Sequence, residues 1–349
     1  MTGRLLWLSP WMRPLARVYC EGLRERGWEV VLVTSDQHPE SDGARPRPYE
    51  WVLDPRPKTP STWPQYATAL RRARGFAADV VVTELVRDPR WIALAGRAPR
   101  VRLVHDDRPH GADEHLPGWE RALFGRWGRS AAATLAFSEY VADAIGADAH
   151  VPLTSDLDPA RVPALVPAED RRDFVAVGRL NTYKNLDVTL AAWDRHVSGP
   201  GWRGDELVLI GDGDGPADLA PHVRWERGPY SYADVLGPMS AAKGSIAHYR
   251  RATQSGVQVL AMQLGVTPIV SLEGALPEFQ PMGEPGIPAD DVAGLARALD
   301  DLADPAAAAR RGAAAREHYL ANYAVDVSAG RLDALLRGVI DARGRSTAR

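Results

Sequence analysis

The stretch "FVAVGRLNTYKN", residues 174–185, runs from four apolar residues into Gly178 and Arg179, and Lys184 follows five positions after the arginine. A short apolar run of this kind is typical of a strand that a parallel sheet buries on both faces. Ligands of such sheets bind beyond the carboxyl ends of the strands, where a glycine turn lets the backbone approach an anion. An arginine and a lysine at this edge suit a diphosphate, although most cations that follow a strand are simply solvated.

Apolar runs that predict strands alternate with helical patterns along the whole chain. In the amino-terminal half they are RLLWL at 4–8, WEVVLVTSD at 28–36, DVVVTEL at 79–85, RVRLVHD at 100–106 and AATLAFSEY at 132–140. In the carboxyl-terminal half they are DFVAVGR at 173–179, ELVLIGDGD at 206–214, VRWERG at 223–228, GSIAHY at 244–249 and TPIVS at 267–271. The alternation predicts an α/β fold with two Rossmann-like, doubly wound parallel-sheet domains that face each other across a cleft.

The length of the chain also favours two domains, because one hydrophobic core rarely grows through 349 residues. The sequence between the two series of strands is rich in proline and aspartate and lacks a sustained period, which is typical of a linker. We therefore expect an amino-terminal domain over 1–150, a linker over 151–172 and a carboxyl-terminal domain over 173–325. The remaining residues, 326–349, have a helical pattern and can recross to the first domain.

Charge and composition argue against several classes of protein. The 42 basic and 45 acidic side chains leave a net charge of -3, which does not favour nucleic acid as a partner. One cysteine, Cys20, cannot form an internal disulfide framework or a thiolate metal cluster. No apolar run approaches the ~20 residues of a transmembrane segment, and the run within MTGRLLWLSP is too short for a signal peptide. We therefore expect a cytoplasmic protein.

A second anion-binding turn is predicted further along the chain. A glycine-rich turn that begins at Gly211 follows one buried strand, and Ser255, Gly256 and Val257 open a short helix. Backbone amides at a helix start attract anions, because they lie at the positive end of the helix dipole. Together with the turn at Arg179, they can hold one diphosphate.

The order and spacing of these motifs resemble those of GT-B fold glycosyltransferases, in particular the retaining family 4, also called glycosyl transferases group 1. The shared motifs of the carboxyl-terminal half are Gly178-Arg179 with Lys184, Gly211-Asp212-Gly213, Gly228, LAMQLGVTPIV at 260–270 and EGALPE at 273–278. Looser matches in the amino-terminal half are RPLARVYCEGLRERGWEVVLVTSD at 13–36, RVRLVHDD at 100–107 and AFSEYVAD at 136–143. Agreement of several motifs in order is more specific than any single glycine motif.

The resemblance implies a hexosyl- or glycosyltransferase that moves a sugar from a nucleotide diphosphate sugar to a hydroxyl of a small-molecule or glycan acceptor. It implies that the second domain holds the donor, that the first holds the acceptor, and that transfer is retaining, metal-independent and without a cofactor. Arg179 and Lys184 would neutralise the departing diphosphate and His105 would contact the sugar, so these three are the candidate catalytic residues. The candidate nucleotide-sugar contacts are Gly178, Gly211, Pro229, Tyr230, Ser255, Gly256, Val257, Gln258, Gly274, Ala275, Leu276 and Glu278.

The chain departs from the family pattern at two positions. The family usually carries two glutamates eight residues apart, near the sugar and the ribose, where this chain has Ala252 and Leu260. Gln258 can supply a ribose contact instead, or it can face solvent. An inverting transferase and a sugar epimerase stay open as alternatives, because the fold does not separate them from a retaining transferase. The missing glutamates add a third alternative, a catalytically inert partner of another transferase. Retention of Arg179 and Lys184 argues against inertness, because a scaffold does not need cations for a leaving group.

Polar and aromatic residues of the first half are candidates for contacts with the acceptor. Trp11 and Met12 either offer a surface on which a ring can stack or pack under the first helix. His105 can otherwise be a metal ligand or a solvated turn residue, but the acidic pair beside it lacks the further ligands of a metal site, so we expect no metal. The candidate acceptor contacts are Trp11, Met12, Glu84, Asp106, Asp107, Arg108 and His110. A dinucleotide oxidoreductase fits poorly, because no G-x-G-x-x-G follows the first strand.

Overall fold

The computed structural model describes residues 2–36, 45–56, 59–107, 117–213 and 219–347. They form two compact units, one of Met1–Pro152 with Val325–Arg349 and one of Leu153–Ala324. The chain therefore completes its second unit and returns to the first with its last helix. Each unit has a parallel sheet of its own, against which its helices pack.

The first unit is built on seven parallel strands. They are β1 (Arg4–Leu8), β2 (Glu29–Thr34), β3 (Glu50–Val52), β4 (Val80–Glu84), β5 (Arg100–Val104), β6 (Ala133–Ala136) and β7 (Ala149–His150), and their order in the sheet is β3-β2-β1-β4-β5-β6-β7. The helices are α1 (Arg13–Glu25), α2 (Trp63–Phe76), α3 (Pro89–Ala95), α4 (Gly118–Arg129), α5 (Glu139–Ile145) and α11 (Val325–Thr347). Strand β4 is buried throughout, in keeping with its opening run of valines, Val80 to Val82, which does not alternate with polar residues.

The first helix begins and ends where its sequence predicts. Pro14 lies in its first turn, where a missing N–H breaks no helical hydrogen bond. Gly27 follows its last turn with a φ of +85°, a conformation that favours glycine at a helix end. Helix α11 packs against α1, and Trp28 Nε1 donates to Asp333 Oδ1 at 2.6 Å beside this contact. The last helix is thus an integral part of the first unit.

The second unit is built on five parallel strands. They are β8 (Phe174–Val177), β9 (Leu207–Ile210), β10 (Val223–Glu226), β11 (Gly244–Ala247) and β12 (Pro268–Val270), and their order is β10-β9-β8-β11-β12. The helices are α6 (Leu186–Val197), α7 (Tyr232–Ser240), α8 (Gly256–Gln263), α9 (Val292–Ala303) and α10 (Pro305–Asn322). Strand β8 lies at the centre of the sheet and is buried at every residue. Within the described ranges of either unit, no helix is both long and apolar enough to cross a membrane.

All ten apolar runs contain a strand of the structure, and several of the runs extend past the end of their strand. The run at 132–140 contains β6 and also the start of α5, because Ser138 accepts a hydrogen bond from Val141 N at 3.2 Å and so caps that helix. Strands β3 and β7 were not predicted. Both are short edge strands of the first sheet, with only three and two residues, so their sequences carry little periodicity.

The proline-rich sequence between the two sheets is packed rather than extended. It contains two 3₁₀ turns, Pro159–Arg161 and Ala168–Asp170. Near its end, the buried Arg171 donates to the carbonyl oxygens of Ala242 and Gly265 at 3.0 and 2.9 Å. These bonds attach the end of the segment to the second unit, directly before β8 begins.

Candidate active site

The carboxyl ends of β8 and β9 meet through two glycines. Gly178 and Gly211 both have a φ of +124°, a backbone region that other residues rarely adopt. A β-carbon at Gly211 would lie 2.2 Å from the carbonyl oxygen of Gly178, and one at Gly178 would lie 3.3 Å from Lys184 Nζ. The close approach of the two strand ends therefore requires glycine at Gly211, and the φ of +124° favours glycine at both positions.

Lys184 lies at this edge with partners that carry no negative charge. It ends the short 3₁₀ turn Thr182–Lys184, and its Nζ donates to Tyr249 Oη at 2.7 Å and lies 3.9 Å from the centroid of the Tyr249 ring. No carboxylate of a described residue pairs with it. Burial lowers the pKa of Lys184 to about 8, the charge of Arg179 acts in the same direction, and Tyr183 opposes them.

Tyr249 connects the lysine to the start of α8. Its hydroxyl lies 3.1 Å from Ser255 Oγ, and Ser255 in turn caps α8 by accepting from Gln258 N at 3.3 Å. Burial raises the pKa of Tyr249 to about 12, so the hydroxyl stays neutral near pH 7. A hydrogen-bonded chain therefore runs from the ammonium group at the end of β8 to the first turn of a helix, whose amides are unpaired within the helix.

Arg179 and Tyr230 stand on the solvent side of the same cluster. Arg179 is exposed and forms no ion pair with a described residue. Tyr230 is 39% exposed, and its hydroxyl would lie 3.9 Å from a β-carbon at Gly178. Burial raises the pKa of the Tyr230 phenol, and the charge of Arg179 opposes the rise. Pro229, beside Tyr230, is also exposed. The Tyr230 ring, Arg179 and Lys184 thus lie around the same turn at Gly178.

The loop Glu273–Glu278 approaches the chain that precedes α8. Gly274 has a φ of +55°, and a β-carbon there would lie 1.7 Å from the carbonyl oxygen of Ala252. Ala275 N donates to the carbonyl oxygen of Thr253 at 3.2 Å. The side chains of Ala275 and Leu276 are fully buried, so only their backbone can meet a ligand, whereas Glu278 is exposed.

Gln258 is an interior residue rather than a solvent-facing one. It is fully buried, and its amide nitrogen donates to the carbonyl oxygen of Leu276 at 2.8 Å and to Gln280 Oε1 at 3.1 Å. The amide therefore holds the loop Glu273–Glu278 against α8. The solvent-facing alternative is thus wrong, and a contact with a ribose stays a prediction.

The two positions that lack glutamate are filled by apolar packing. Ala252 and Leu260 are both buried, and Leu260 belongs to the core between α8 and the sheet. The nearby His248 is also structural, because its Nε2 donates to the carbonyl oxygen of Pro288 at 3.1 Å and its Nδ1 accepts from Asn185 Nδ2 at 3.2 Å. Burial lowers the pKa of His248, in keeping with a neutral ring.

In the first unit, His105 and Glu84 form a pair at the ends of β5 and β4. His105 Nε2 and Glu84 Oε1 are 2.5 Å apart, and Glu84 Oε2 accepts from Trp7 Nε1 at 3.2 Å. The sequence places Glu84 among the acceptor contacts, but its carboxylate is 1% exposed and both of its oxygens are bonded inside the protein. Its direct effect is therefore on the orientation of the His105 ring, which also packs edge-on against Phe137.

The other candidate acceptor residues lie around the same unit. Trp11 is 52% exposed, so it is not the core contact that one alternative predicts, and Met12 is half-buried directly before α1. Asp106 and Asp107 line a cavity of about 350 Å³. Arg108 and His110 lie outside the described residues. Among the described residues, no three His, Cys, Asp or Glu side chains converge in a way that could hold a metal ion.

Each half of the chain matches the model of a known protein family. Residues 15–154 match the model of Glycosyltransferase Family 4, and residues 171–304 match the model of Glycosyl transferases group 1. The chain belongs to the family 4, group 1 glycosyltransferases. The fold and the enzyme class predicted from the sequence are thereby confirmed.

Solved structures show that this glycosyltransferase has the GT-B fold. It is similar to sucrose-phosphate synthase from Thermosynechococcus elongatus, with a TM-score of 0.69 and 18% identity over 97% of this chain and 100% of that one. It is also similar to HepE from Anabaena in complex with UDP and glucose (TM-score 0.67, 15% identity, 96% and 100% covered). A third is α,α-trehalose 6-phosphate synthase from Burkholderia multivorans (TM-score 0.62, 14% identity, 98% and 100% covered). No curated protein matches this glycosyltransferase in sequence.

Tyr249 is the member of this site that the sequence prediction missed. It directly follows Ala247 and His248 at the carboxyl end of β11, the neighbour of β8 in the sheet. Its position could have predicted this role, because the carboxyl ends of adjacent parallel strands lie at the same edge of a sheet, where ligands bind. The motif of the family did not point to it, because the motif is defined by glycines, cations and glutamates.

Proposed function

We propose that the protein transfers a sugar from a nucleotide diphosphate sugar to a hydroxyl-bearing acceptor, with the donor diphosphate received by Lys184 and Arg179. The observation that carries this proposal is the desolvated ammonium group of Lys184, which lacks a carboxylate partner among the described residues. A partly buried cation without a counter-charge is costly, and a bound diphosphate would offset that cost. The structure of HepE with UDP and glucose supports a nucleotide-bound donor for a protein of this fold.

In this proposal the cations act mainly on the transition state. Negative charge on the diphosphate increases as its bond to the sugar breaks, so cations placed beforehand at that edge are worth more in the transition state than in the ground state. The first-turn amides of α8, oriented by the Ser255 cap, would add hydrogen bonds to the same anion. Arg179 contributes a planar set of donors and Lys184 a point charge.

We further propose that transfer is metal-independent and retaining and that it needs no cofactor. Two cations at the strand edge can neutralise a diphosphate without a divalent ion. Retention of configuration rests on the family to which both halves of the chain belong. Both statements are open to direct test, because chelation and the anomeric configuration of the product are measurable.

The decisive experiment is donor turnover by the purified protein. UDP-, GDP-, ADP- and dTDP-linked sugars would be incubated with it in the presence of EDTA, and nucleotide release would be followed by ³¹P NMR. We expect release from one class of donor, and a loss of about 10²-fold in kcat for Arg179→Gln. Arg195→Gln, an exposed arginine on α6, is the matched control and should retain full activity. Release of no nucleotide from any donor would favour an inert partner protein.

A second candidate function is inverting transfer, which the Glu84–His105 pair favours. If His105 Nε2 donates to the carboxylate, Nδ1 is the ring nitrogen that can accept a proton. A histidine oriented in this way is a suitable general base for an acceptor hydroxyl. His105 belongs to the unit to which the proposal assigns the acceptor.

The two candidates differ in the product that they form and in their response to one substitution. Retaining transfer gives a product with the anomeric configuration of the donor, which ¹H NMR reports directly. Inverting transfer with His105 as base predicts that His105→Ala lowers kcat by about 10²-fold or more and that Glu84→Gln lowers it less. A retained configuration would exclude the inverting candidate.

A further inference from the structure

Two arginines of the first unit lie on one face of β5. Arg100 and Arg102 are two residues apart on the strand, so their side chains project from the same face, which α4 covers. Arg100 is 6% exposed, and its guanidinium lies 4.1 Å from the centroid of the Trp127 ring. Its Nη2 donates to the carbonyl oxygen of Trp127 and, at 3.1 Å, to Ser130 Oγ. Its Nη1 is buried, and no described residue accepts a hydrogen bond from it.

Arg102 adds a second positive charge beside the first. Its Nη1 would lie 3.4 Å from a β-carbon at Gly128, so the guanidinium rests against the backbone of α4. Burial lowers the pKa of Arg102, and burial together with the charge of Arg102 lowers the pKa of Arg100 to about 10. No carboxylate of a described residue offsets either effect. The two guanidinium groups therefore repel each other in a partly desolvated place.

Both arginines line the cavity of about 350 Å³ that also contains Asp106 and Asp107. A cavity of this volume is within the size range of small-ligand sites. Two further arginines, Arg87 and Arg121, line it, and the two aspartates lie near the carboxyl end of β5. We propose that this cavity, hereafter the arginine pocket, binds an anionic group of the acceptor, either a phosphate, a sulfate or a carboxylate.

The position of the arginine pocket points to the acceptor rather than to the donor. The pocket is also lined by His105, which is three residues after Arg102 along the strand, or ~10 Å in an extended chain. A monosaccharide that carries an anionic group spans a distance of that order, so with its charged end at Arg102 it can reach the carboxyl edge of the sheet, where His105 and Asp106 follow β5. The assignment to an acceptor rests on the proposed function, whereas the binding of an anion does not.

Titration with inorganic phosphate and with sulfate tests the arginine pocket without any donor or acceptor. Arg102→Gln is the informative variant, because Arg102 is exposed at the pocket and makes no hydrogen bond to a described residue, so its loss should not prevent folding. We expect calorimetry to show phosphate affinity weakened about tenfold in Arg102→Gln and largely restored in Arg102→Lys. The matched control is Arg126→Gln, an exposed arginine of α4 that does not line the pocket.

Phosphate can also bind to Arg179 and Lys184 of the second unit, so two further measurements distinguish that site from the arginine pocket. In Arg179→Gln the component of phosphate binding that depends on Arg102 should persist. In the absence of anions, Arg102→Gln should unfold at the same temperature as the wild type or higher, because it relieves repulsion on Arg100. Phosphate affinity that is equal in Arg102→Gln and the wild type would overturn the arginine pocket.

Pairs of acceptors that differ only in the anionic group test the assignment to the acceptor. With an active donor, the member that carries phosphate, sulfate or carboxylate should have a KM about tenfold lower than its neutral counterpart, and Arg102→Gln should abolish the difference. Equal KM values for both members in the wild type would overturn this assignment. If no donor is turned over at all, the proposed function fails, while the phosphate titration still decides whether the arginine pocket binds anions.

Discussion

Two lysines occupy opposite edges of the second sheet and have opposite kinds of partner. At the edge formed by the amino ends of the strands, hereafter the amino edge, Lys243 Nζ donates to Asp205 Oδ2 at 2.7 Å, and both side chains are no more than 5% exposed. Asp205 Oδ1 also accepts from Asp173 N at 3.2 Å, so this pair ties together the starts of β8, β9 and β11. At the carboxyl edge, Lys184 donates to the neutral hydroxyl of Tyr249.

The difference distinguishes a cation whose charge is neutralised within the fold from one that has no carboxylate partner among the described residues. A buried ion pair is satisfied within the protein, and removal of either partner leaves an uncompensated charge. A desolvated cation with only hydroxyl and ring partners keeps its charge available to an anion. The first unit repeats the contrast, because Arg13 and Arg17 are paired with the buried Glu50 at 2.8 and 2.6 Å, whereas Arg100 has no carboxylate partner among the described residues.

Substitution of each lysine in turn tests whether the two have different roles, and it should give the largest effects. We expect Lys184→Met to lower kcat by about 10²–10³-fold with little loss of stability, because it removes a stabilising charge from the transition state. Lys243→Met should instead lower the free energy of unfolding by about 3–5 kcal/mol, because Asp205 is left buried and unpaired. Donor turnover and urea denaturation measure the two effects on the same protein samples.

The control for this pair is the double variant Lys243→Met with Asp205→Asn. It removes both charges of the amino edge, so it should recover part of the lost stability. Full activity in Lys184→Met, or a large loss of stability that accompanies its loss of activity, would show that the lysine at the carboxyl edge has a structural role like that of Lys243.

The features that the sequence predicted are those that are local in the chain. Gly178, Arg179 and Lys184 lie within seven residues, so the turn, the cations and the following helix are visible together. The buried central strands were equally visible, because a strand that is buried on both faces has a largely apolar sequence whatever its neighbours are. The short edge strands β3 and β7 were not visible in this way. Order, class and approximate bounds of the elements could therefore be predicted without the structure.

The features that the sequence did not predict depend on which residues meet across strands. Glu84 and His105 were both candidates, but nothing in the spacing of 21 residues shows that they form a hydrogen bond. The partners of Lys184 and Gln258 are likewise distant in the chain, at Tyr249 and Leu276. A side chain at a strand end can face a ligand or close onto its neighbour, and only the packing of adjacent elements decides between them.

Two glycines at the carboxyl ends of the strands of the second sheet also differ in their contacts, and we expect a smaller effect from their substitution than from that of the lysines. Gly211 and Gly228 have the same φ of +124°, but a β-carbon at Gly211 would lie 2.2 Å from the carbonyl oxygen of Gly178, whereas one at Gly228 would meet nothing within 4 Å. We expect Gly228→Ala to cost about 1–3 kcal/mol from backbone strain alone. Gly211→Ala should cost more and should also weaken nucleotide binding, because the end of β8 must move.

Urea denaturation and titration with UDP and GDP measure both glycine effects. The difference between the two variants isolates the steric clash, since the backbone strain is common to them. Equal losses of stability and equal nucleotide affinities would mean that the close approach of β8 and β9 does not shape the site.

The pH dependence of nucleotide binding tests the charge of Lys184 itself. Its pKa of about 8 in the folded protein is below its ordinary value of 10.5, so the ammonium group loses its proton as pH rises through 8. Affinity for UDP or GDP should therefore fall above pH ~8 by a factor that approaches ten per pH unit. Tyr249 and Tyr230 stay protonated in this range because burial raises their pKa values. A flat profile between pH 7.5 and 9.5 would contradict the assignment, and Lys184→Met provides that flat profile as a reference.

The smallest effect is expected from Tyr249→Phe, which removes one hydroxyl and keeps the ring beside the lysine. The ammonium group then loses its hydrogen-bond acceptor at 2.7 Å, so its pKa should fall further and the pH at which nucleotide affinity declines should move below that of the wild type. In the unliganded protein the same lowered pKa affects stability, and there the effect of rising pH has the opposite sign to its effect on nucleotide affinity. Between the folded and unfolded pKa values the folded state has released a proton that the unfolded state retains, so the free energy of unfolding rises with pH across that window. Tyr249→Phe should begin this rise at a lower pH, and an unchanged onset would mean that the hydroxyl does not support the charge of Lys184.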